Sequence, residues 1–206
     1  MARHNKRSHS PRRRSAGFKA VREKILIVCE GAKTEPNYFE SFKLTNIDVR
    51  VFGEGANTVS LVERAEHRAS MAKQHGQPFD SVWVVFDRDS FPPRNVEEAC
   101  IKVEQLGFKL AFSNEAFELW YILHFGYRDT GMPRNEYQEA LSNRLRVKYK
   151  KNDATMFDRL RPYLDDGIRN AKKLAATYSG NIPYHSRNPY TSVYELVEIL
   201  KKYLKD

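Results

Sequence analysis

Three carboxylates stand where two apolar runs end. The run Ile25 to Cys29 (ILIVC) passes straight into Glu30-Gly31, and the run Ser81 to Phe86 (SVWVVF) passes into Asp87-Arg88-Asp89. Carboxylates brought together in this way repel one another unless a cation sits between them. Oxygen-only donors of this kind select a hard divalent ion, Mg2+ or Mn2+, which keeps waters and substrate phosphate in its shell. Such an ion neutralises charge on a phosphoryl oxygen and activates a water. Asp87 and Asp89, two apart at a strand end, project to one side, and Glu30 supplies a further ligand or a general acid/base. Solvated acids at the ends of two unrelated strands are the plain alternative.

The elements that position these acids read as strands. A short continuous run of β-branched and aromatic residues is what a strand buried on both faces needs. Four runs qualify, Lys24 to Cys29, Asp48 to Phe52, Ser81 to Phe86 and Phe108 to Phe112, and amphipathic stretches lie between them. This alternation predicts an α/β fold with a mostly parallel four-stranded sheet and flanking helices. Ligands in such sheets collect at the carboxyl ends of the strands. Ser113 or Asn114 is expected to cap a fourth, strongly apolar helix carrying Glu115, Glu118 and His124. Glu118, a turn into that helix beside its apolar face, is the stronger candidate for a further ligand. Glu115 has the plainer reading of an acid favoured by the helix dipole, and His124 that of a core histidine. Lys33, just after the Glu-Gly turn, has two readings: a cation that holds a scissile phosphate, or a solvated residue at a helix start.

Charge is distributed unevenly along the 206 residues, whose formal net charge is +9. Residues 1–20 hold seven Lys or Arg and no acid, residues 21–125 hold 12 basic and 16 acidic residues, and residues 126–206 hold 16 basic and 10 acidic. The expected organisation is therefore a basic, disordered tail (1–20), a catalytic core (21–125) and a helical C-terminal extension (126–206). Basic flanks suit a polyanion. Their candidate contacts are Arg144, Arg146, Lys148, Lys150 and Lys151, with Tyr149 interleaved for stacking, together with Arg169, Lys172 and Lys173. The competing reading of these cations is a solvated helix face. Two cysteines make no disulfide framework, which fits a reducing cytoplasm. No apolar run approaches the ~20 residues of a membrane span, and the basic N-terminus lacks the apolar stretch of a secretory signal.

Four motifs in order, ILIVCEGAKTEPNYF, VWVVFDRDSF, SNEAFELWYILHF and NPYTSVYELV, resemble the RloB family over about Lys24 to Leu200. The first two alone resemble the Toprim fold of topoisomerases, primases and overcoming-lysogenization-type nucleases. The resemblance implies a Toprim-like (Rossmann-like) core, with Glu30 as general acid/base and Asp87 and Asp89 as metal ligands. It also implies a place beside restriction-modification or antiphage loci and an ABC- or AAA-type ATPase partner (RloA-like) encoded nearby. Phe91 stands where topoisomerases carry a third alternating aspartate, and no tyrosine nucleophile stands out. The reading that follows is a Mg2+-dependent nuclease acting on DNA or on tRNA or other RNA. Two other readings remain: a non-catalytic nucleic-acid or effector-binding subunit of the ATPase, and a primase-like transferase. The oligomeric state is left open.

Overall fold

The computed structural model describes residues 22–55, 58–88 and 91–205. The basic tail expected at 1–20 and the candidate ligand Asp89 lie outside the described residues. The four strands are β1 (Glu23–Cys29), β2 (Ile47–Gly53), β3 (Ser81–Asp87) and β4 (Lys109–Ser113). They form one sheet in the order β2-β1-β3-β4, parallel throughout. Three helices make the crossovers: α1 (Thr34–Glu40), α2 (Thr58–Gln74) and α3 (Pro93–Gln105). The architecture is α/β and Rossmann-like, as the alternation of runs predicts.

Side chains alternate across the sheet, as the strand period of two requires. Ile25, Ile27, Cys29, Trp83, Val85 and Ala111 face one layer, where α1 contributes Tyr38 and Phe39 and the turn after it contributes Phe42. Leu26, Val28, Val82, Val84 and Phe86 face the other, against Leu61, Val62 and Ala65 of α2 and Val96, Ala99 and Val103 of α3. Helices therefore cover both faces, which is why these strands read as unbroken apolar runs. The first crossover leaves β1 toward β2 and the second carries the chain back past β1 to β3. The strand order reverses between β1 and β3, and a crevice opens at their carboxyl ends.

The rest of the chain is helical: α4 (Glu118–Leu123), α5 (Arg134–Leu145), α6 (Met156–Leu160), α7 (Leu164–Ala175) and α8 (Val193–Lys201). Their apolar faces join the α1 layer. One buried cluster runs from Ile25 through Trp120, Leu141, Phe157 and Leu174 to Leu200.

The turn after β4 corrects the expected cap of α4. Neither Ser113 nor Asn114 caps that helix, which starts only at Glu118. Both are instead used to secure the C-terminal segment against the sheet edge. Ser113 Oγ lies 2.9 Å from Thr191 Oγ1, and Asn114 Nδ2 donates to the His185 carbonyl at 3.0 Å. Ser192 N–H donates to the Phe112 carbonyl at 2.8 Å, and Phe112 N–H donates to Ser192 Oγ at 2.9 Å. The open backbone edge of β4 is covered in this way.

Candidate active site

The chain continues past β1 without leaving the ladder. Glu30 N–H donates to the Val85 carbonyl at 2.8 Å, so the first acid is fixed beside the end of β3. The end of β2 folds over the same turn: Glu54 N–H donates to the Cys29 carbonyl at 3.0 Å and Gly55 N–H to the Glu30 carbonyl at 2.8 Å. This close approach needs Gly53, since a Cβ there would lie 2.6 Å from the Gly31 carbonyl oxygen and 2.9 Å from Ala32 Cα.

A cleft of about 500 Å3 opens at this rim. Its walls carry four carboxylates, Glu30, Glu35, Asp87 and Glu118, and three cations, Lys33, Arg134 and Lys151. Asp87 is buried at the last position of β3. Its N–H donates to Glu30 Oε2 at 3.3 Å, which makes the two acids neighbours. Asp87 Oδ2 accepts the Phe117 N–H at 3.2 Å and lies 3.7 Å from Arg134 Nη2 at the start of α5. Glu118, 4 % exposed, accepts the Tyr149 hydroxyl at 3.1 Å. Burial, followed by Glu118, pushes the Tyr149 hydroxyl well above the usual tyrosine range, so it remains a donor.

Glu35 sits in the first turn of α1 and is buried. Burial raises its carboxyl above the usual range, and Glu118 adds to that rise. Its own backbone N–H, Lys151 and Arg134 pull in the other direction. Its carboxylate lies against Gly31, where a Cβ would come within 2.1 Å of Oε2. The far lip of the cleft is the loop after α5. Thr34 Oγ1 donates to Asn152 Oδ1 at 2.8 Å and Asn37 Nδ2 to the Asn152 carbonyl at 3.2 Å, which brings Lys151 to the cleft.

The structure thus brings together Glu30, Lys33, Asp87, Glu118 and Lys151, all expected from sequence. Glu115 is not on the cleft wall; it lies 3.7 Å from Arg88. His124 is a core residue whose Nδ1 lies 2.8 Å from the Trp120 carbonyl, and burial lowers its pKa to about 4. Tyr149 corrects an expectation: it is buried against Glu118 and presents no ring for stacking on a base.

The remaining expected cations fall in several places. Arg144, Arg146 and Arg169 line a separate cavity. Lys172 pairs with Glu198 at 2.6 Å, and Lys173 lies 4.0 Å over the Tyr127 ring. Lys148 and Lys150 are exposed. Sequence reasoning missed Glu35 and Arg134. Glu35 had a signal, an acid in the helical turn that follows the Glu-Gly corner. Arg134 had none, because it lies 47 positions beyond Asp87 in the sequence.

Among the described residues, no three His, Cys, Asp or Glu side chains are grouped closely enough to hold a metal ion. A hard ion such as Mg2+ does not require three, since it binds through one or two carboxylates plus water and substrate phosphate. The adjacent pair Glu30 and Asp87 fits that demand in donor chemistry and in position.

The fold and this cleft define a Rossmann-like α/β protein with an acidic site at its topological switch point. The family model described as "RloB-like protein" matches residues 25–200, and the chain belongs to that family. No curated protein and no solved structure matches the chain. Among the described residues, no helix is long and apolar enough to cross a membrane.

Proposed function

We propose that the chain is a Toprim-type, Mg2+-dependent nuclease that hydrolyses phosphodiester bonds of DNA or RNA. The observation that supports this most directly is the cleft itself: four carboxylates and three cations at the carboxyl ends of β1 and β3. Glu30 and Asp87 would hold the metal, with Asp89 next along the chain, and Mn2+ could take its place. When bound, the ion supplies Lewis-acid stabilisation of charge on the phosphoryl oxygens.

The chain's own groups account for the rest of the reaction. Lys33 and Lys151, exposed at the lips, bind the substrate phosphates as mobile point charges. Arg134 places its guanidinium 3.7 Å from Asp87 and can neutralise charge that develops on the phosphoryl group. Glu30 takes the proton of the attacking water at its carboxylate as the new P–O bond forms. Glu35, held toward its protonated form by burial, returns a proton to the leaving oxygen as the old P–O bond breaks. The cleft is open and acidic at its floor, so binding strength comes from cations at the rim and beyond. An ABC- or AAA-type ATPase partner would control access, and an antiphage role in the cytoplasm follows from the same reading.

A second reading is favoured by one specific observation. Asp87 already lies beside Arg134, and Glu118 is already hydrogen-bonded by Tyr149, as in a site that binds without turnover. In that case the chain is a non-catalytic nucleic-acid or effector-binding subunit of the ATPase.

One experiment separates the two. Plasmid DNA, single strands and total tRNA are incubated with the protein and Mg2+, alone and with its co-purified ATPase. Parallel reactions use EDTA, Asp87→Ala and Glu30→Gln. Cleavage that needs metal and drops at least 100-fold in both variants supports the nuclease. Equal cleavage by wild type and variants refutes the mechanism, and no cleavage with the ATPase present supports the binding subunit.

A further inference from the structure

A second cavity, of about 590 Å3, lies away from the carboxylate cleft. This is within the roughly 300–1,000 Å3 of small-molecule sites. It is built where the end of α4, the end of α5 and the first half of α7 meet, from His124, Phe125, Arg144, Arg146, Tyr163, Asp166, Arg169 and Asn170 among others. Its charge is three guanidinium groups against one carboxylate, Asp166, which pairs with Arg169. Arg144 in the last turn of α5 is where a helix dipole favours a cation. Arg169 has its i,i+3 pair with Asp166, and Arg146 has no such account. Arg146 follows the helix in the left-handed conformation (φ 56°), and Arg169 lies within α7.

One further feature indicates what kind of anion fits. Tyr163 is 45 % exposed at the mouth, and its ring is braced from behind by Phe125, with centroids 5.6 Å apart. A rigid exposed aromatic beside arginines is a platform for a base whose phosphate the arginines hold. Deeper in, the His124 ring closes the cavity: it is 2 % exposed and packs against Gly167, where a Cβ would come within 2.9 Å of Nε2.

We propose that this cavity is a nucleotide-binding site distinct from the cleft. In it the phosphate lies on Arg144, Arg146 and Arg169, and a base stacks on Tyr163. The ligand is either a free nucleotide or one nucleotide of a single strand that follows the surface. The site does not rest on the nuclease reading, because binding there needs no metal and no turnover. Glu118 and His124 stand at opposite ends of α4, about 9 Å apart along its axis at ~1.5 Å per residue. The two sites therefore share one rigid element.

The test is equilibrium binding to the full chain in EDTA. The probes are AMP, inorganic phosphate and a 12-residue oligoadenylate. The variants are Arg146→Ala/Arg169→Ala, Tyr163→Ala and, as a charge-matched control off the cavity, Lys202→Glu; thermal melts establish that each is folded. Saturable binding of AMP or the oligomer, weakened at least tenfold by both cavity variants and less than twofold by Lys202→Glu, is the expected result. Equal binding of AMP and oligomer identifies a free nucleotide as ligand; binding of the oligomer alone identifies a strand. Three results overturn the proposal. They are no saturable binding of either nucleotide probe, binding that the cavity variants leave within twofold, and phosphate competing as well as AMP. A failed cleavage panel would leave these outcomes unchanged.

Discussion

Replacing Tyr149 with Phe removes one oxygen from the candidate site and little else. The ring keeps its edge contact with Tyr121, with centroids 6.5 Å apart, and the backbone N–H still donates to Ser142 Oγ at 2.9 Å. What disappears is the hydroxyl that donates to Glu118 Oε1 at 3.1 Å. Glu118 is 4 % exposed, so water cannot readily take the hydroxyl's place. A hydrogen bond to a charged group contributes about 1.5–3 kcal/mol, and a buried acceptor left alone bears its desolvation cost as well. For a chain of this size each kcal/mol corresponds to roughly 2–4 °C of melting temperature. Tyr149→Phe should therefore lose about 1.5–3 kcal/mol in urea unfolding at pH 7 and melt about 3–12 °C lower. A double-mutant cycle isolates the pair, since in a Glu118→Ala background the same substitution should cost at least about 1 kcal/mol less. A loss below about 0.5 kcal/mol, or an equal loss in both backgrounds, would refute the claim that Tyr149 holds Glu118 in the cleft wall.

Other expectations follow from the same geometry. In Gly167→Ala the new Cβ would come within 2.8–2.9 Å of three atoms of the buried His124 ring, so urea unfolding should show a loss of about 1–3 kcal/mol. Gly53→Ala meets backbone at 2.6 and 2.9 Å and should lose a similar amount, about 1–3 kcal/mol, and cleavage should fall with it because the Glu30-Gly31 turn must shift. Gly31→Ala instead meets the end of the Glu35 side chain, so it should cost little stability while reducing cleavage at least tenfold. His124 titrates near 4 in the folded chain and near its ordinary value of about 6.5 when unfolded. Between those values the unfolded state binds the extra proton, so the stability His124 contributes is complete above about pH 6.5 and is lost as pH falls through about 4. The difference in unfolding free energy between wild type and His124→Gln should shrink by about 3 kcal/mol across that window, and a difference that stays flat would refute the assignment.

How far the site could be read from the sequence depended on how local each residue's constraint is. Glu30 and Asp87 were legible because each ends an apolar run, and a run buried on both faces can only deliver its next residue to the sheet's rim. Glu118 was legible from the apolar helix it starts. Tyr149 was misread: a tyrosine among lysines looks solvated, yet the loop folds inward and buries it in the cleft wall. Ser113 and Asn114 looked like caps because nothing local reveals that the segment around Thr191, some 78 positions on, takes up their hydrogen bonds.

The sequence by itself determined the α/β class, the four strands and the acids at their ends, since burial on two faces and a period of two or 3.6 are written in adjacent residues. Only the tertiary structure decided which acids meet. The reversal of strand order sets β1 beside β3 and so Glu30 beside Asp87. The docking of α5 and its following loop adds Arg134 and Lys151. It also divides the expected basic stretch between two cavities, because Arg144 and Arg146 lie where α5 ends against α7 and Lys151 lies where the loop meets α1. Charge patterns report composition along the chain, but side-chain partners are set by packing between elements that the sequence separates.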